Sequence, residues 1–210
     1  MTNLVFFYNP MSRARVVRWM LEEVGVPYET RLVRFDNNQH KSAEFLAINP
    51  MGKLPAIKHG DTVVTEVAAI CAYLADAFPA AQLAPPTSSF ERGTYYRWMF
   101  FGSGCFEPAF TNHAFKRPPV DRPSAIGYGT YEDTLNTLEK ALARGPFLLG
   151  ERFSAADVFV GSQIGWAMMT KAIEPRPVFE QYLTHCGARP ANQRAKAQDE
   201  KYMQELMPKA

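Results

Sequence analysis

The chain has 210 residues, 47% apolar and 21% charged, with a net charge of +2 spread over both signs. That length can bury a sizeable core in one large or two modest domains, and the composition excludes wholesale disorder. No basic run carries interleaved aromatics and no apolar stretch nears the roughly 18 residues of a membrane span, so neither nucleic acid nor membrane is an expected partner.

Leu4 to Tyr8 is a β-prone apolar run stopped by Asn9-Pro10, and it reads as a buried strand. Met1 to Tyr8 has neither the basic start nor the cleavage pattern of an export leader. Ser12 opens a helix with Val16, Val17, Met20, Leu21 and Val24 on its apolar face, ended by Gly25 and Pro27. Tyr28 to Phe35 alternates as a second strand, and Ser42 caps a helical turn reaching Ala47. Leu54 to Lys58, a turn at His59-Gly60-Asp61 and Thr62 to Thr65 form a hairpin. Glu66 to Ala77 then forms a helix, with Ile70, Tyr73, Leu74 and Phe78 facing inward. The order βαβ followed by ββα calls for one parallel and one antiparallel connection.

Residues 81–89 form a Pro-containing linker without periodicity. Beyond it the chain predicts helices only: Phe90 to Cys105, Ser124 to Arg144, Ala155 to Met169, Val178 to Ala188 and Ala191 to Leu206. The expected organisation is an α/β domain over 1–80 and an all-helical domain over 90–210. Ser154 and Asp157 suit a capping box at a helix start, with Phe153 and Val158 as its hydrophobic staple, so this carboxylate reads as a folding device. Cys71, Cys105 and Cys186 lie far apart and form no C-x-x-C, so neither a zinc site nor a dithiol centre is encoded, and a reducing cytoplasm fits.

Three short segments can carry chemistry. A cis Leu54-Pro55 bond would turn the Leu54 amide and carbonyl away from the sheet, free for a peptide-like ligand lying alongside, while Lys53 met a carboxylate. An edge strand with a trans proline is the alternative. At Thr65-Glu66-Val67 the unpaired amides of a helix start attract a carboxylate and Glu66 supplies charge for an ammonium, which together suit an α-amino acid head; equally, Glu66 merely complements the helix dipole. Ser12, at the first helix start, is either a plain cap or a hydroxyl that ionises a thiol. His40, in a loop, can reach a second carboxylate or stay solvated.

Taken in order, Pro10-Met11-Ser12-Arg13, Arg18 to Glu23, Asn49 to Pro55, Thr65 to Ile70, Phe153 to Asp157 and Ala188 to Ala191 carry a family likeness. Over nearly its whole length the chain resembles the cytosolic glutathione transferases, of the bacterial type with serine rather than tyrosine at the thiol site. The resemblance implies a thioredoxin-like domain followed by a helical domain, and a cytoplasmic homodimer serving detoxification. It implies glutathione as co-substrate, no metal, and a small apolar electrophile in a pocket roofed by the second domain. Tyr96, Trp98, Met99, Phe106, Phe110, Phe115 and Trp166 are candidates for that pocket's wall, at least half of them core instead. Pro55 matches the family's cis-proline and Leu54 the partner of the cysteinyl backbone. Lys53 and His40 match positions meeting the glycine carboxylate, and Glu66 and Val67 the γ-glutamyl site.

The family commonly has serine where this chain has Val67. The tyrosine that some classes use falls on Phe7, and Tyr8, one residue on, faces the opposite way. The thiol therefore falls to Ser12. Rival readings are a non-catalytic binding module of the same fold, or a peroxidase, isomerase or dehalogenase variant. A disulfide oxidoreductase is excluded because no cysteine lies near the first helix start.

Overall fold

The computed structural model describes residues 3–118 and 120–206. In chain order they form β1 (Leu4–Tyr8), α1 (Ala14–Val24), β2 (Glu29–Leu32), α2 (Ala43–Ile48), β3 (Ala56–His59), β4 (Thr62–Thr65) and α3 (Val67–Ala77). There follow α4 (Glu91–Phe101), α5 (Glu107–Ala114), α6 (Tyr131–Leu142), α7 (Ala155–Met169), α8 (Pro177–Gly187) and α9 (Pro190–Leu206). They make two compact units, Met1–Ala81 with Arg189–Ala210, and Gln82–Ala188.

The first unit is a thioredoxin-like sheet of order β2-β1-β3-β4, with β1 parallel to β2 and antiparallel to β3. All five residues of β1 are buried because both faces are covered. Val5 and Phe7 pack with Val33, Phe45, Leu54 and Ala56 on the α2 face. Phe6 and Tyr8 point the opposite way, their rings beneath the Arg18 guanidinium of α1. Gly25, at φ 72°, ends α1 in the left-handed conformation, its amide returning to the Leu21 carbonyl.

Here α1 departs from its expected single apolar face: Arg18 and Trp19 are buried as well. The cause is α9. Expected in the helical domain, it lies on α1 in the first unit, with Arg189 bidentate to Glu23 at 2.6 and 2.7 Å and Arg194 held by Glu22 at 3.1 Å. The α9 face that meets α1 is polar, so apolar periodicity does not reveal its destination.

The second unit is helical. The expected helix from Phe90 runs on to Ala114, through a π-helical turn at Gly102–Phe106. Pro108, in the first turn of α5, lacks an amide for the Gly104 carbonyl four residues back, which accounts for the widened turn. A Cβ on Gly102 would stand 2.7 Å from the Phe159 ring, whereas one on Gly104 would meet open space. Gly102→Ala is therefore expected to cost about 1–3 kcal/mol in a thermal melt, and Gly104→Ala nothing.

The helix expected from Ser124 begins only at Tyr131, since Gly127 and Gly129 intervene, Gly129 at φ 69°, and Thr130 supplies the cap by accepting from the Asp133 amide at 3.0 Å. At the start of α7 the capping box forms as expected. Asp157, fully buried, accepts from the amides of Leu148 and Ser154 at 2.8 and 2.9 Å and from the hydroxyls of Ser154 and Tyr182 at 3.0 and 3.1 Å. Burial outweighs these donors and pushes its carboxyl pKa up to about 6. No helix among the described residues is long and apolar enough to cross a membrane.

Candidate functional site

Strand register brings the candidate segments together. Phe7 pairs with Ala56 and Ala56 with Thr65, so the end of β1, the start of β3 and the end of β4 share one end of the sheet. Asn9 to Ser12, Lys53 to Pro55 and Glu66-Val67 extend from those three ends. Segments as far apart in the chain as Asn9 and Val67 are set side by side by two antiparallel pairings.

Two of the three are shaped by one device used twice. In Asn9-Pro10-Met11 the Asn9 carboxamide accepts from the Met11 amide at 2.9 Å and donates to the Val33 carbonyl at 2.8 Å. In Asn49-Pro50-Met51 the Asn49 carboxamide accepts from the Met51 amide at 3.1 Å and donates to the Lys53 carbonyl at 2.8 Å. Both asparagines are buried. Each is an Asx turn locked by a second bond to a neighbouring segment. Neither asparagine was singled out from the sequence, although the repeated Asn-Pro-Met is visible there.

Ser12 lies in the turn before α1 and is half-buried. Its hydroxyl donates to the Asn9 carbonyl at 2.7 Å and accepts from the Ala14 amide at 3.1 Å, so it precedes the helix by two residues rather than opening it. Tyr8, the alternative hydroxyl, is fully buried and donates to Asp199 of α9 at 2.5 Å. Burial, then the Asp199 carboxylate, raises its phenol pKa well above the ordinary value, so Tyr8 is poorly suited to ionise a thiol.

The Leu54-Pro55 peptide is cis. Among the described residues the Leu54 amide and carbonyl take no hydrogen bond, while its side chain sits in the core. Lys53 is exposed. His40 is half-buried, with its ring edge on Phe35 at 5.0 Å and Nδ1 without a partner among the described residues. It adjoins the Lys53 loop, since a Cβ on Gly52 would stand 2.7 Å from the His40 carbonyl oxygen. Lys41, not anticipated, ties that loop by donating to the Met51 carbonyl at 2.9 Å.

Glu66, not Thr65, takes the cap position of α3, with an exposed side chain. Its φ of 65° lies in the left-handed region, a strain of roughly 1–3 kcal/mol for a residue with a Cβ. Val67 is half-buried, and the first-turn amides of α3 point toward the same end of the sheet. The arrangement offers a free peptide edge, helix-start amides, an acid, two cationic or imidazole side chains and one hydroxyl.

Of the seven side chains expected to wall an apolar pocket, Trp98, Met99, Phe106 and Phe110 are core, whereas Tyr96, Phe115 and Trp166 are 40%, 75% and 48% exposed. Cys71 is buried, which raises its thiol pKa and removes it as a nucleophile. No cluster of three metal-ligating side chains occurs among the described residues.

Comparisons with known proteins agree in kind. The family model "Glutathione S-transferase, N-terminal domain" matches residues 3–76, and "Glutathione S-transferase, C-terminal domain" matches residues 114–185. Glutathione S-transferase A of Pleuronectes platessa is 30% identical over 193 residues, 87% of this chain and 84% of the relative. Among solved structures, a glutathione transferase from Methylococcus capsulatus is 31% identical with a TM-score of 0.78, covering 94% of this chain and 99% of that one. The theta class glutathione S-transferase from Xanthomonas axonopodis pv. citri, with glutathione bound, is 30% identical with a TM-score of 0.74, covering 93% and 97%.

Proposed function

The chain belongs to the glutathione S-transferase family, and from that premise we propose that it conjugates the thiolate of glutathione to a small apolar electrophile. The meeting of the Ser12, Leu54-Pro55 and Glu66 segments at one end of the sheet carries this reading. Leu54 offers its amide and carbonyl to the cysteinyl backbone of glutathione, as an added strand of one residue. Glu66 takes the γ-glutamyl ammonium, and the α3 amides beginning at Val67 take its carboxylate. Lys53 and His40 face the glycine carboxylate. The thiolate accepts from the Ser12 hydroxyl, and its sulfur then attacks the electrophile and displaces the leaving group.

The exposed aromatic side chains Tyr96, Phe115 and Trp166 suit an apolar electrophile. Exposed Phe90, just before α4, and Phe100, in its last turn, offer apolar surface for pairing two copies as a homodimer, which sedimentation tests. Free cysteines and the lack of a membrane-spanning helix among the described residues support action in the cytoplasm.

Conjugation of glutathione to a generic aryl halide, measured beside calorimetric glutathione binding, tests the proposal. Turnover with binding supports it, whereas binding without turnover identifies a non-catalytic module. Val67→Ser adds a hydroxyl where the γ-glutamyl carboxylate is expected. It should lower KM for glutathione about threefold to tenfold, one hydrogen bond to a charged group offset by its desolvation, with kcat little changed.

A further inference from the structure

The reading of Ser12 leaves unexplained a charged network buried on the other side of β1. Asp199 of α9, 2% exposed, receives the Tyr8 hydroxyl on Oδ1 at 2.5 Å and the Arg15 Nε on Oδ2 at 3.1 Å. Arg18, 1% exposed, stands 3.4 Å from the same carboxylate, its guanidinium 4.1 Å above the Tyr8 ring and 5.0 Å from that of Tyr202. Gln198 and Tyr28 complete the surround of Arg18, at 2.9 and 3.1 Å.

A buried ion network is a weak source of net stability, because desolvation offsets most of the attraction and well-packed apolar side chains serve as well or better. What it provides that apolar packing does not is direction. Tyr8 and Arg15 bracket the Ser12 turn, Tyr8 as the last residue of β1 and Arg15 in the first turn of α1, where its amide donates to the Ser12 carbonyl at 3.3 Å. The two oxygens of one carboxylate thus hold both flanks of the turn from behind, while Asn9 holds it from within.

We propose that Asp199 is a positioning residue for the Ser12 hydroxyl, acting through Tyr8 and Arg15; this rests on the Ser12 reading above. Misplacing a reacting or stabilising group by about 1 Å costs up to roughly 100-fold in rate. Loosening the bracket should therefore weaken the hydrogen bond to the thiolate without removing the glutathione-binding groups.

The test follows thiol ionisation of bound glutathione by the ultraviolet absorbance of its thiolate, together with kcat and KM. Asp199→Ala and Arg15→Met are expected to raise the bound thiol pKa by about 0.5–1 unit. At neutral pH kcat should fall about threefold to tenfold, with KM for glutathione within about twofold. The double variant should lose no more than the greater single loss, because the two side chains act as a unit. Arg15→Met retains the stem of a half-exposed side chain, so it keeps the proposal testable should Asp199→Ala fold poorly.

Arg189→Ala, which cuts the Arg189–Glu23 pair linking α9 to α1, is the structural control: it should lower Tm and leave the thiol pKa unchanged. If Ser12→Ala raises the thiol pKa but Arg15→Met and Asp199→Ala do not, the positioning role is overturned and the Ser12 reading stands. If Ser12→Ala leaves the thiol pKa at the parent value, both are overturned.

Discussion

Replacing Asp157 with alanine is expected to lower the unfolding free energy by about 3–5 kcal/mol, the largest stability loss from any single side chain considered, because it strips a buried hydrogen-bonded group of its partners. The carboxylate receives Leu148 N, Ser154 N, Ser154 Oγ and Tyr182 Oη, and truncation takes this acceptor from all four, leaving Tyr182 only the Asp157 carbonyl at 3.5 Å. Asp157→Asn should recover only part of the loss, since its amide nitrogen must face one of those donors. Denaturant titration measures both.

The pH dependence has a definite sign. The folded carboxyl holds its proton up to about pH 6 against an ordinary 3.8, so the native chain binds that proton more tightly than the unfolded chain. The contribution is fully present below the ordinary value and is lost as pH rises through the window up to about 6. The difference in stability between the parent and Asp157→Ala should therefore be greater near the acid end of that window than above it. A flat difference would show that the carboxyl titrates as an ordinary acid.

Ser12→Ala is expected to slow conjugation roughly tenfold and to raise the bound thiol pKa by about one unit. The magnitude comes from a competition. The hydroxyl proton already rests on the Asn9 carbonyl at 2.7 Å, and donating to sulfur gives that bond up. A neutral hydrogen bond is worth about 0.5–1.5 kcal/mol and one to a charged acceptor about 1.5–3 kcal/mol, so the thiolate wins by roughly 1.3 kcal/mol. Glutathione binding should persist, because the backbone edge at Leu54 and the α3 start do not involve Ser12. An unchanged kcat/KM profile against pH would end the assignment.

Much of the fold is legible in the sequence. The run of β-prone residues, Gly25 as a helix stop, the hairpin turn and the Ser154–Asp157 box are local signals, and each sits where short-range chemistry puts it. The three candidate segments are legible because their motifs fall at strand ends, and the register then places them at one end of the sheet. Less visible were features set by distant partners. Apolar periodicity does not show that Asp199 and Arg194 of α9, and Arg189 just before it, find Arg15, Glu22 and Glu23 more than 160 positions away. The two Asn-Pro-Met turns were in view, but only the Val33 and Lys53 carbonyls turn those asparagines into brackets. The close approach of Phe159 to Gly102 joins residues that no window of sequence contains.

The return of α9 to α1 has a consequence for the order in which the protein is made. Tyr8 leaves the ribosome 191 residues ahead of its buried partner Asp199, and Arg18, which faces the same carboxylate, also precedes it by far. Until it arrives the first unit carries an uncovered face on α1, holding a guanidinium and a phenol that have no acid to meet. The first-synthesised sheet is thus completed only after the whole helical unit has been translated, and closing that long loop comes late in folding. The turn bearing Ser12 would gain its rear support only at that step, from a helix made after the second unit.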